Sequence, residues 1–174
     1  MARVPYGDET QDLETAALAE RIRSERGGKL PNLYRVLLNS PPLAMGWLNL
    51  LTAVRQQCKL RGRHREMVIL RVAVINGAQY EYDAHLPFAL KEGMTPVEVS
   101  ALSDWRNSNV FDDADRAILA YTDSMTKDIH VPGDVFAAVA RHFDSRELTE
   151  LTATIATYNL VSRFLEALQV DPEK

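Results

Sequence analysis

The run Met67-Val-Ile-Leu-Arg-Val-Ala-Val-Ile75 constrains the fold of this chain more than any other segment. Its β-branched residues suit a pleated, buried strand, and periodicity alone does not separate such a strand from a buried helix. A strand, however, needs neighbours to take its backbone N–H and C=O groups, and an isolated strand pair is at best marginal in water. Every other long segment repeats its apolar residues at helical spacing, so a single strand would have no partner. The run therefore reads as a buried helix and the fold class as all-α, a compact helical bundle.

Start and stop signals divide the rest of the chain. Leu13 to Arg26 places Leu13, Ala16, Ala17 and Ile22 among good helix formers, and Gly27-Gly28 ends it. Pro31 opens a short helix with Leu33, Tyr34, Leu37 and Leu38. Ser40-Pro41-Pro42 restarts the chain with an N-cap and prolines suited to a first turn. The third helix then runs from about Pro42 to Lys59, with Leu43, Trp47, Leu50, Leu51 and Val54 on one side. Ala78 to Lys91 continues the helical pattern after the apolar run, and Gly93 closes it. Thr95, Pro96 and Glu98 form a further start signal. Asp104 to Val110 is the most loop-like stretch. Asp112 to Lys127, a helix capped by Val131-Pro-Gly-Asp134 and running to about His142, and Arg146 to about Leu168 complete the set. Residues 1–12 are polar and expected to fray. No linker forces a boundary, so 13–174 is expected to be a single domain. Arg65-Glu-Met-Val-Ile-Leu70 echoes Arg146-Glu-Leu-Thr-Glu-Leu151, either as an old duplication or as a shared start signal; two copies do not decide.

Composition removes several function classes. The net charge is −4 and the isoelectric point about 5.6 over 174 residues, which argues against a basic face for duplex nucleic acid. No apolar run approaches the roughly 20 residues of a membrane helix, and the N-terminus has no secretory h-region, so the cytoplasm is the expected compartment. The single cysteine, Cys58, can form neither an intrachain disulfide nor a cysteine-based zinc site. It reads as a partly buried helix residue, with a nucleophile activated by Lys59 and Arg61 as the sharper alternative. No HExxH, phosphate loop, dinucleotide fingerprint or zinc spacing is present, so no cofactor and no metal are expected.

The segment Arg63 to Gly93 holds the candidate chemistry. Glu81 and His85 stand four residues apart on one helical face, with Ala78 a turn earlier and Tyr80 and Tyr82 flanking Glu81. A carboxylate beside an imidazole orients the ring and tunes it to hold or release a proton near neutral pH. The alternative is an exposed helix pair worth a few tenths of a kcal/mol, roughly 0.2–0.5. Arg71, inside the apolar run, can bind a substrate carboxylate or pair with Glu66 or another buried acid; a buried charge needs a partner, which favours pairing. Lys59, Arg61, Arg63, His64 and Arg65 read as a solvated helix start. His130 and His142 lie near helix ends and carry no assigned role.

This segment resembles the helical pair of the carboxymuconolactone decarboxylase-like family and its alkylhydroperoxidase relatives. Redox members carry a glutamate, eleven residues, Cys-x-x-Cys, three residues and a histidine. Here Glu66 and His85 stand at the glutamate and histidine positions, and Ala78 and Glu81 occupy the cysteine positions. Ala89, Gly93, Thr95 and Glu98 match the A-x-x-x-G-x-[ST]-x-x-E pattern that follows. The resemblance implies a homo-oligomer, trimer or hexamer, and a small-molecule substrate. Trp47, Trp105 and the long apolar hairpin are expected to give such an assembly its shared surface. Without the cysteine pair the dithiol–disulfide cycle is closed, and the chain reads as a cofactor-independent lyase or isomerase acting on a small organic acid or lactone. In that reading Glu66, Glu81 and His85 are catalytic, and Tyr80, Tyr82 and Arg71 bind substrate. A non-catalytic assembly or binding protein, or a peroxidase-like activity without the pair, is the alternative.

Overall fold

The structure is a computed structural model that describes residues 2–173, and it is built of helices, with no β-strand among the described residues. The chain is laid out as two compact units, one holding the residues up to Gln57 together with those from Phe164 onward, the other Cys58–Arg163.

The smaller unit contains α1 (Leu13–Glu25), α2 (Asn32–Leu37) and α3 (Pro41–Thr52). The Asp12 carboxylate caps α1 by accepting from the Thr15 amide at 2.7 Å. Leu18, Ile22, Tyr34, Leu37, Leu48 and Leu51 are buried. Residues 2–12 form no helix, but the Arg3 amide donates to the Leu168 carbonyl and the Gly7 amide to that of Arg35. The third helix is shorter than expected. It leaves α geometry at Thr52 and continues as a π-helical turn, Ala53–Gln57, so Cys58 and Lys59 lie beyond it.

The larger unit is arranged around α4 (Gly62–Asn76), which packs on α5 (Gln79–Lys91) and α7 (Asp113–Lys127). Met67, Val68, Ile69, Leu70 and Val72 are each 0% exposed. A helix covered on all sides needs no polar face, which is why the run shows neither helical nor strand-like alternation. The expected continuation from this run into the next helix is broken. Gly77 takes a left-handed conformation, φ +64, with its own amide reaching the Val74 carbonyl and the Ala78 amide reaching that of Ala73. This Schellman closure turns the chain so that α5 folds back on α4. The start of α6 (Pro96–Ala101) carries the full capping box between Thr95 and Glu98.

The stretch expected to be a loop, Asp104 to Val110, begins inside a 3-10 segment, Leu102–Asn107. Trp105 is only 5% exposed there, beneath the guanidinium groups of Arg106 and Arg116. It therefore supplies no surface for an assembly, contrary to the expectation from sequence; its indole belongs to the core. Then follow α7, α8 (Gly133–Ala140) and α9 (Ser145–Leu168), whose part up to Arg163 lies in the larger unit.

Candidate functional site

Helices α4 and α5 bring Glu66, Glu81 and His85 together, and all three are buried, at 2%, 4% and 4% exposure. The Glu81–His85 pair is thus not a solvated helix-surface contact. His85 Nδ1 lies 2.7 Å from Glu66 Oε2, and Nε2 lies 3.6 Å from Glu81 Oε2. The tight partner of the ring is Glu66 on the neighbouring helix, not Glu81 on its own. The second distance exceeds hydrogen-bond length, so Nε2 makes no hydrogen bond to Glu81 in this geometry.

Burial alone would raise the Glu66 carboxyl, but the His85 hydrogen bond and charge, with Arg65, hold it below the ordinary carboxylate range. Arg65 Nε donates to Glu66 Oε1 at 3.0 Å. An ionised carboxylate can only accept, so the imidazole proton between the two residues sits on Nδ1. Tyr158, from α9, meets the ring edge-on with centroids 5.0 Å apart, and Phe88 lies 5.9 Å away on the side of the next turn of α5.

The remaining expected site residues divide. Tyr80 is buried on α5 beside Glu81. Tyr82 is half-buried and lines a separate groove of about 280 Å³ with Ala73, Ala78, Gln79, Val99 and Ser103. Arg71 is held elsewhere. Its Nε and Nη2 donate to the two oxygens of Asp123 at 2.6 and 2.9 Å, and Nη1 donates to the Leu102 carbonyl at 2.7 Å. Of the two readings of Arg71 the structure shows the pairing one, with Asp123 rather than Glu66 as the acid. Arg106 and Lys127 add contacts to the same carboxylate at 2.6 and 3.2 Å, and the Asp123 carboxyl is pulled down to about 2: these cations overcome the opposing effect of burial.

The basic stretch before the run is a solvated helix start only in part: Lys59 and Arg61 are exposed, while Arg63, His64 and Arg65 are drawn inward. Arg63 forks onto Asp115 at 2.7 and 2.8 Å and also reaches Glu98 at 2.5 Å. His64 is buried at 9% exposure, edge-on to Phe143, and burial pushes its imidazole down. Arg65 belongs to the site. Sequence reasoning missed it because adjacent residues do not share a helical face; only the length of the arginine stem lets it reach its neighbour's carboxylate.

Cys58 is half-buried. Burial and the nearby Glu150 carboxylate push its thiol up, and Lys59 is engaged with Asp144 at 3.0 Å. The activating cations of the nucleophile alternative are not at work there. Among the described residues no cluster of His, Cys, Asp and Glu is arranged to hold a metal ion, and no helix is long and apolar enough to cross a membrane.

Residues 41–124, which include Glu66, Glu81 and His85, match the model of the carboxymuconolactone decarboxylase family. The uncharacterized Escherichia coli protein YnjA is 28% identical over 144 residues, 82% of this chain and 74% of YnjA. A protein of unknown function from Agrobacterium tumefaciens, provisionally assigned to antioxidant defence as an AhpD, superposes with a TM-score of 0.74 at 25% identity, covering 79% of this chain and 95% of its own. The debrominase Bmp8, solved with 2,3,4-tribromopyrrole, superposes with a TM-score of 0.81 over 98% of this chain and 91% of its own, at 19% identity, which establishes shared fold alone. Over residues 41–124 this chain matches the carboxymuconolactone decarboxylase family; it has the alkylhydroperoxidase-like helical fold and lacks the Cys-x-x-Cys redox pair.

Proposed function

We propose that the protein performs cofactor-independent acid–base chemistry, a decarboxylation or isomerisation, on a small organic acid or lactone. The observation that carries this reading is the buried imidazole with a carboxylate at each nitrogen, Glu66 at 2.7 Å and Glu81 at 3.6 Å. Glu66 keeps the proton on Nδ1 and steadies the imidazolium that forms when Nε2 takes a second proton. Nε2 is then the base that removes a proton from a carbon next to a carbonyl. Glu81, a turn away, takes that proton from Nε2 and returns it to the substrate at another position; after loss of carbon dioxide the same pair passes a proton supplied by solvent to the carbanion. Positioned proton transfer of this kind typically contributes about a hundredfold to ten-thousandfold in rate. A carboxylate standing where redox relatives carry a cysteine supports the reading, because a buried acid without use costs stability and tends to drift toward an apolar residue. Tyr80, next to Glu81 on α5, stays with the site in this reading, while Tyr82 lines a separate groove and Arg71 is engaged by Asp123.

The test needs no known substrate. Small lactones and keto acids incubated with the protein in D2O are followed by proton NMR for loss of the signal at the carbon beside the carbonyl. The native protein is expected to accelerate exchange for at least one of them, and His85→Ala and Glu81→Gln to abolish it with helix content intact. Exchange that persists unchanged in His85→Ala would end the proposal. We also propose a trimeric or hexameric assembly, supported by Leu43 and Leu50, exposed at 56% and 40% on α3 beside half-buried Trp47. Light scattering showing a monomer at micromolar concentration would exclude it.

A further inference from the structure

Four residues form a line of alternating charge that leads from solvent into the buried site. Glu92, at the end of α5, has a side chain 41% exposed; that of Arg65 is 14% exposed, that of Glu66 2% and that of His85 6%. Arg65 Nη2 stands 3.6 Å from Glu92 Oε1, Arg65 Nε donates to Glu66 Oε1 at 3.0 Å, and Glu66 Oε2 accepts from His85 Nδ1 at 2.7 Å. The two Glu66 oxygens are therefore divided, one for the guanidinium and one for the imidazole. The outer end has its own provision. A Cβ on Gly62 would come within 1.9 Å of Glu92 Oε2, so the glycine at the start of α4 leaves the space in which the Glu92 carboxylate lies.

We propose that Arg65 is the positioning residue of this site: it fixes the Glu66 carboxylate and, through it, the tautomer of His85 that leaves Nε2 bare on the Glu81 side. The inference deepens the acid–base reading, since tautomer choice matters for catalysis only if Nε2 is the working atom. A carboxylate 2% exposed with one imidazole partner is costly to keep ionised, and burial acts to protonate it. Were it protonated, its O–H would donate to a bare Nδ1 and the ring proton would move to Nε2, removing the base. The guanidinium at Oε1 opposes that protonation. Glu81 and Glu66 are the acids facing the ring, Tyr158 meets it from α9 and Phe88 from α5. Arg65 is the cation whose charge reaches it through Glu66.

The experiment is heteronuclear NMR on the full chain, reading the Glu66 side-chain carboxyl carbon and the two His85 ring nitrogens across pH. In the native protein the Arg65 Nε–H resonance is expected to move in step with the Glu66 titration, and His85 to carry its neutral-form proton on Nδ1. In Arg65→Gln, Glu66 is expected to become an acid about tenfold weaker, the scale on which one opposite charge acts, and the Nε2–H tautomer to appear. Arg65→Lys, which keeps the charge, is expected to restore most of the Glu66 acidity. A merely structural arginine would move helix content and leave these signals alone. An Arg65→Gln protein that is folded, with native Glu66 titration and native ring-nitrogen populations, would overturn the proposal. If that variant does not fold, an Arg65 Nε–H resonance in the native protein that ignores Glu66 protonation would overturn it equally. The catalytic reading fails separately: deuterium exchange unaffected by His85→Ala would overturn the acid–base function and leave the placement of Glu66 by Arg65 standing.

Discussion

Helix α4 contributes to two buried ionic clusters that differ in balance. At Arg71 the cations are in excess: one carboxylate, Asp123, takes Arg71, Arg106 and Lys127, and the Trp105 indole lies 3.4 Å from it. At Glu66 the acids are in excess: Glu66 and Glu81 share His85, with Arg65 as the cation on the outer side. The first arrangement is saturated and locks α4 to α7 and the 3-10 segment. In the second, one ring nitrogen is tied and the other faces a carboxylate beyond hydrogen-bond length. A buried carboxylate ringed by cations acts as a clamp between elements, whereas one that shares an imidazole keeps an ionisable ring as its neighbour.

The sharpest way to break the comparison is to remove the centre of the saturated cluster. Asp123→Ala leaves Arg71 buried without its acid and is expected to lower stability by about 3–5 kcal/mol, the range for breaking one side of a buried pair. Urea unfolding measures it, and a change below 1 kcal/mol would mean that the cluster is not what holds α4 to α7. Glu66→Gln keeps the shape and loses a charge-assisted hydrogen bond, so a smaller loss of about 1.5–3 kcal/mol is expected by the same measurement.

Acid separates the clusters further. Asp123, at about 2, and Glu66, also lowered, both titrate in the folded protein below their ordinary values of 3.8 and 4.5. The unfolded chain therefore binds more protons. The stability these groups contribute is fully present above the unfolded values and is lost as pH falls through the folded ones. Stability should decline from about pH 4.5 toward pH 2, and Asp123→Asn should flatten that slope more than Glu66→Gln does. An equal effect of the two variants would contradict the larger coupling assigned to Asp123. The smallest effect belongs to neither cluster. Cys58→Ser, at a half-buried thiol outside both, is expected to change stability by no more than about 0.5 kcal/mol and to leave exchange chemistry untouched. Peroxide turnover that vanished in this variant would reverse the assignment of Cys58 as inert.

The local signals read from sequence carried well where the responsible groups lie within a few residues of each other. The capping box of Thr95 and Glu98 and the break at Gly27-Gly28 are of this kind. The apolar run was placed as a helix by exclusion rather than by pattern, because complete burial erases periodicity. The closure at Gly77 was passed over for a related reason. A glycine between two helical patterns reads as a tolerated interruption until the chain is seen to reverse there. Trp105 was misread as available surface because loop-like composition says nothing about which helix the loop lies against.

By itself the sequence determined that the chain is helical and that the dithiol cycle is closed to it, and it singled out Glu66, Glu81 and His85 as candidates. The helices and the shared face of Glu81 and His85 follow from residue type and from spacings of three, four and seven, which local backbone geometry enforces, while Glu66 is marked by the family resemblance. Only the tertiary structure decided which partner each charge has: Glu66 rather than Glu81 on the imidazole proton, Asp123 on Arg71, Arg65 inside the site instead of in solvent. The physical reason is that a buried charge is satisfied by whichever opposite group packing brings within about 3 Å. Arg71 and Asp123, 52 residues apart, meet only because α4 and α7 pack together.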